Sequence, residues 1–171
     1  IGKRWGMQAG KVSMAYKRFL GYEKKKDGSI GIVEDQAKIV RLIYRMFLVE
    51  GKTSSGIAKF LNENKIPTPS GKVGCRWTKT TIDSILTNEK YKGDALLQKT
   101  FMVDFLEHKA KKNEGEVPSY YVENSHPHII EKDEWEMVQA EFARRAALRG
   151  SYSGGSPFTS KLICEDCRGF Y

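Results

Sequence analysis

Apolar residues recur at helical spacing in four stretches of the chain. In "EDQAKIVRLIYRMFLVEG" (34–51), Val40, Ile43, Tyr44, Phe47 and Leu48 fall three and four apart and Gly51 supplies a stop, which predicts a long amphipathic helix that organises the core. A second, shorter helix is predicted in "TSSGIAKFLNEN" (53–64), capped by Thr53 or Ser54, with Ile57, Ala58 and Leu61 on one face. "KIPTPSGKVGCRW" (65–77) must be loop, because its prolines and glycines forbid a regular element. Thr78 then caps a third helix that packs through Ile82, Ile85 and Leu86. The fourth, in "EKDEWEMVQAEFARRAALRG" (131–150), buries Trp135, Val138 and Phe142, with acidic residues in its first turns and arginines near its end, as the helix dipole favours.

Between and before the helices the pattern alternates. Asp27-Gly28 marks a turn between two short extended pieces. "YKGDALLQKTFMVDF" (91–105) and "SYYVENS" (119–125) read as strands of a small antiparallel sheet, joined by a charged surface loop from Glu107 to Glu116. The fold class is therefore α+β, mainly a helical bundle with a small antiparallel sheet. "GSYSGGSP" (150–157) has flexible-linker composition and sets the last residues apart.

Charge sharpens this picture. The 29 Lys and Arg against 21 Asp and Glu give +8, favouring an anionic partner such as nucleic acid or an acidic membrane surface. Residues 1–26 carry Lys3, Arg4, Lys11, Lys17, Arg18, Lys24, Lys25 and Lys26 against Glu23 alone, a basic arm whose glycines at 2, 6 and 10 discourage a rigid helix. The bland reading of that arm is a solvated terminus. No apolar run is long enough to cross a bilayer and no signal peptide is recognisable, so a soluble, cytoplasmic protein is expected. The absence of an initiator Met and the end at Tyr171 are those expected of a piece of a longer chain.

The second and third helices resemble a helix-turn-helix stretched by a long loop. If Ile82, Ile85 and Leu86 face the core, then Thr80, Asp83, Ser84 and Thr87 point outward with Lys79 at the flank. Lys65, Lys72, Arg76 and Lys79 have no acidic residue among them. Such side chains suit base edges and phosphates, although a three-helix unit with an ordinary wet face fits the same pattern. His126 and His128 carry no catalytic reading: at i and i+2 on an extended segment they face apart. Cys75 is expected as a free surface thiol. Cys164 and Cys167 have the spacing of half a tetrahedral zinc site, and Leu162, Ile163 and Gly169 around them fit the knuckle of a zinc ribbon.

These residues together resemble the C-terminal DNA-binding half of the large serine recombinases, the serine integrases and transposon resolvases of phages and mobile elements. "FLGY" (19–22) is similar to that family's Pro-x-Gly-Tyr, with Pro replaced. In the stretch 56–96, Ile57-Ala58, Leu61-Asn62, Ile66-Pro67-Thr68, Gly71, Trp77, Ile82, Ile85-Leu86, Asn88, Tyr91 and Gly93 match its pattern, and "HPHII" (126–130) matches its His-Pro-x-Ile-Ile segment. The resemblance implies a linker arm at 1–18, a recombinase DNA-binding domain at 19–149, a flexible linker at 150–160, and at 161–171 the truncated start of a zinc ribbon whose second cysteine pair lies downstream. It implies a site-specific DNA recombinase, bacterial or phage-encoded, whose serine nucleophile lies outside this chain. The chain itself would be no enzyme and would bind double-stranded DNA without a cofactor, zinc belonging to the intact protein. The resemblance further implies a dimer on each site and a tetramer in synapsis. The competing reading is a helix-turn-helix transcription regulator or a protein-interaction module.

Overall fold

The computed structural model describes residues 14, 16, 19–69, 74–104, 109–147 and 163–165. The chain enters through a hairpin, β1 (Tyr22–Lys24) and β2 (Ile30–Ile32), paired antiparallel with Glu23 opposite Gly31. The Asp27 carboxylate accepts from the Ser29 N–H and hydroxyl, closing the turn the sequence marks.

Helix α1 (Glu34–Leu48) is the centre of the core, with Val40, Ile43 and Tyr44 fully buried and Met46 and Phe47 nearly so. Helix α2 (Ser54–Glu63) begins at Thr53, whose hydroxyl accepts from Gly56 N at 3.1 Å, and packs through Ile57 and Leu61. Helix α3 (Lys79–Leu86) begins at Thr78, whose hydroxyl accepts from Thr81 N at 3.2 Å, and buries Ile82, Ile85 and Leu86. Helix α4 (Lys132–Ala147) closes the bundle with Val138 buried and Trp135 and Phe142 packed against the same core. Each fully buried aliphatic side chain contributes about 1.5–3 kcal/mol, so the stripes read from the sequence account for the helices' docking.

Two side chains pin α3. Tyr44 donates its hydroxyl to the carbonyls of Ile85 and Leu86 at 3.3 and 3.4 Å, and Gln139 of α4 donates to Leu86 O at 2.9 Å. The last carbonyls of a helix have no partner within it, so these bonds fix the end of α3 to α1 and α4. Arg145 does the same for α1: it donates to Phe47 O and Lys52 O and lies 4.2 Å from the Phe47 ring centre.

The β structure departs from the single small sheet expected. A 3₁₀ turn, Glu89–Lys92, leads into β3 (Ala95–Leu97), which pairs antiparallel with β6 (Tyr120–Val122); between them β4 (Thr100–Asp104) and β5 (Lys109–Lys112) form a ribbon of their own. Strand β5 lies inside the stretch expected to be a charged loop. Its Lys-Ala-Lys-Lys sequence has low strand propensity, and the register with Thr100, Phe101 and Met102 makes it a strand. Asn113 ties off the ribbon's base by donating to Gln98 O at 3.0 Å and Val117 O at 2.6 Å.

Candidate nucleic-acid interface

The outward face of α3 carries Thr80 and Ser84, continued by Thr87 at its C-cap, whose hydroxyl donates to Asp83 O at 2.8 Å; all three are exposed, as is Lys79 at the helix start. Asp83 differs from expectation. At about 100° per residue it lies on the flank between the buried and outward arcs, where it is half-buried and its Oδ1 is enclosed without a hydrogen-bond partner. With Lys79 and Thr87 it edges a cleft of about 560 Å³ against the start of α2 and the Phe142 side of α4.

Lys65 and Arg76, at the two ends of the loop before α3, are also exposed. Lys65, Arg76, Lys79, Thr80, Ser84 and Thr87 therefore all reach solvent, and the last five lie within twelve residues of chain. Lys3, Arg4, Lys11, Lys17, Arg18 and Lys72 lie outside the described residues, as does Cys167. Cys164 is half-buried, and Cys75 is exposed and outside any disulfide.

The helix termini differ in a way the sequence reading overlooked. Helices α1 and α4 carry carboxylates in their first turns, Glu34 and Asp35 in one, Asp133 and Glu134 in the other. Helices α2 and α3 carry none. The partial positive charge at a helix N-terminus attracts anions, and where the side chains supply no carboxylate an external phosphate can. That signal was readable from the sequence by comparing first turns.

His126 is structural. It is buried beside Tyr22, edge-on at 5.2 Å, with Nε2 donating to Lys90 O at 2.6 Å and Nδ1 accepting from the Ser125 hydroxyl at 2.7 Å. His128 points elsewhere and meets Glu131. Burial holds the His126 pKa below its ordinary value, outweighing the bond to Lys90 O. A depressed histidine pKa means that the unfolded chain takes up the proton first as pH falls. Stability contributed by neutral His126 is thus full above pH about 6.5 and declines below it. The urea midpoint is expected to fall between pH 7.5 and 5, and to fall less in His126→Gln; equal slopes in both proteins would contradict this.

Asp94 is a second buried polar anchor that the sequence did not reveal. Its carboxylate accepts from the Tyr121 hydroxyl at 2.6 Å and Asn124 N at 2.9 Å, with Lys92 at 3.5 Å and Lys132 at 3.7 Å. Burial pushes its pKa up, but these donors and cations together hold it below the ordinary value. It joins the start of β3 to the end of β6 and to α4.

Helices α1 to α3, the intervening loop, the β3–β6 pair and all but the last two residues of α4 lie within residues 34–145, the span matched by the family model described as Recombinase. The chain belongs to the recombinase family. Solved structures agree with that assignment. The chain is similar to a large serine recombinase in a complex with DNA, with 26% identity and a TM-score of 0.54, covering 85% of this chain and 37% of that one. It is also similar to a structure concerned with the sequence requirements of the Listeria innocua prophage attP site, with 25% identity and a TM-score of 0.59, covering 98% of this chain and 61% of that one. The chain thus spans less than two thirds of the length of either relative, 37% of one and 61% of the other. The four helices and small antiparallel sheets among its described residues are the fold shared with them. Among its described residues no helix is long and apolar enough to cross a membrane.

Proposed function

We propose that this recombinase domain binds duplex DNA at the recombination site of a site-specific serine recombinase, with α3 in the major groove. The observation that carries the reading is the solvent-facing arc of Thr80, Ser84 and Thr87 on a helix pinned from behind by Tyr44 and Gln139, flanked by Arg76 and Lys79 and lacking carboxylates in its first turn. The hydroxyls suit base edges, and the cations and the helix N-termini suit phosphates. Family membership favours this over a transcription regulator or a protein-interaction module.

The remaining parts of the reading follow the family resemblance. Lys3, Arg4, Lys11, Lys17 and Arg18 would form an arm of residues 1–18 that follows the backbone or the minor groove away from the domain at 19–149. Beyond a linker at 150–160, Cys164 and Cys167 in 161–171 would supply two thiolate ligands to a structural zinc whose other ligands lie elsewhere in the protein, and zinc would take no part in the DNA contacts of α3. The serine that attacks the phosphodiester would lie outside these residues. Of the described serines, Ser29 is engaged by Asp27, Ser54 is buried at the start of α2, Ser125 is held against Gly93 O and His126, and Ser55, Ser84 and Ser119 are exposed. The intact enzyme would act in the cytoplasm as a dimer on each site and a tetramer in synapsis.

Binding of a fluorescent duplex, followed by anisotropy across a salt series, tests the reading. Affinity should fall steeply with salt, and Arg76→Ala and Lys79→Ala should each reduce the log–log slope by about one unit, one phosphate contact apiece. Affinity that stays level across the series, or slopes unchanged in both variants, would sink it.

A further inference from the structure

The loop between α2 and α3 is held at its neck by the side chains of Asn62 and Trp77. Asn62, in the last turn of α2, accepts the Trp77 N–H on Oδ1 at 2.8 Å and donates from Nδ2 to Trp77 O at 2.9 Å. One amide thus satisfies both backbone groups of a residue fifteen positions away. Trp77 is itself buried, and its indole N–H donates to Ile66 O at 2.9 Å, while Ile66 N donates to Leu61 O at 3.0 Å as α2 ends. Both ends of the loop are therefore fastened to a single point on α2. Loops with closed necks of this kind hold their shape through such contacts and are often functional.

What adjoins that point gives it its importance. Arg76 immediately precedes Trp77, and Thr78, the cap of α3, immediately follows it. A displacement of the Trp77 backbone would move the Arg76 cation and the first turn of α3 together. Only a side chain offering one donor and one acceptor from the same planar group can make both bonds, and an aspartate would set a carboxylate oxygen against the Trp77 carbonyl.

We propose that Asn62 is a positioning residue for DNA recognition: through Trp77 it sets the register in which Arg76 and the start of α3 meet the duplex, without touching DNA itself. The proposal rests on the reading of the Arg76 and α3 surface as the DNA-facing one. It is a claim about geometry transmitted to the interface, and it differs from a claim that Asn62 merely stabilises the fold.

The test uses the 171-residue chain and two probes, a duplex enriched by this chain from a random library and an unrelated duplex of equal length. Asn62→Ala, Arg76→Ala and the double variant are compared after thermal melts establish that each is folded at the assay temperature. Asn62→Ala should weaken binding to the enriched duplex roughly tenfold and to the unrelated duplex by no more than Arg76→Ala does, since only the share carried by the phosphate contact of Arg76 is common to both, and on the enriched duplex the double variant should lose less than the product of the two single losses, because Arg76 acts through the position Asn62 sets. Should Asn62→Ala not fold, Asn62→Asp, which keeps the bond to Trp77 N–H, carries the same comparison. An unchanged preference for the enriched duplex, or losses that multiply, would overturn the proposal while leaving the DNA-facing surface in place. If Arg76→Ala and Thr80→Ala instead leave both affinities at the wild-type values, the DNA-facing assignment itself fails, and the positioning role with it.

Discussion

Replacing Gly93 with alanine is expected to cost about 3 kcal/mol or more of folding stability, the sum of left-handed backbone strain and a forced steric contact. Gly93 ends the 3₁₀ turn with φ +90°, a conformation that L side chains rarely adopt. A Cβ there would lie 2.9 Å from His126 O and 3.4 Å from the His128 Cβ. The obstacle is backbone, and it cannot swing aside: Ser125 N donates to Gly93 O at 2.8 Å, and Tyr91 O accepts from both Ile129 N and Ile130 N, so the 125–130 segment is held against this turn. Gly28 provides the control. It has φ +86° but nothing within 4 Å of the site of its missing Cβ, so Gly28→Ala should lose only about 1 kcal/mol through strain alone. Urea unfolding of both variants reads the difference, and equal losses would show that the contact with His126 O is relieved by movement of the segment.

The second large effect concerns discrimination between DNA sequences. Thr80→Ala and Ser84→Ala should each reduce the preference for the recognised duplex by about 1–3 kcal/mol, as the loss of a base-edge hydrogen bond does. Both side chains are exposed and neither contributes to the core, so folding stability should change little. Arg76→Ala and Lys79→Ala should behave differently, weakening recognised and unrelated duplexes alike, because phosphate contacts carry no sequence information. Competition titrations with the two duplexes separate these behaviours. A preference lost on changing the cations and retained on changing the hydroxyls would reverse the assignment of roles.

The helices were legible because their information is local. Val40, Ile43, Tyr44 and Phe47 repeat at the spacing of one helical face, and Thr53 and Thr78 announce the starts of α2 and α3 by a preference that acts within three residues. The turn at Asp27-Gly28 was legible for the same reason. Strand β5 was not, since a lysine-rich segment becomes a strand only through its pairing with β4, and the β3–β6 pair is separated by the whole ribbon it encloses. The same limit applies to the site. The outward placement of Thr80, Ser84 and Thr87 followed from helical geometry, whereas the clasp of Asn62 on Trp77 and the hold of Gln139 on Leu86 join residues 15 and 53 positions apart. Asp83 was misjudged because a flank position turns inward or outward according to the neighbour, here α4, that packs beside it. The proposed contacts of Lys3, Arg4, Lys11, Lys17, Arg18 and Lys72 rest on charge and resemblance.

The most direct test of the central claim, that α3 reads bases in the major groove, is selection of duplexes from a random library by the wild-type chain and by the Thr80→Ala/Ser84→Ala variant under identical salt. The account predicts a defined motif for the wild type and, for the variant, the same motif made degenerate at the few adjacent base pairs that α3 contacts, with the rest unchanged. Recovery of the identical motif, undiminished at every position, by the doubly substituted chain would contradict it.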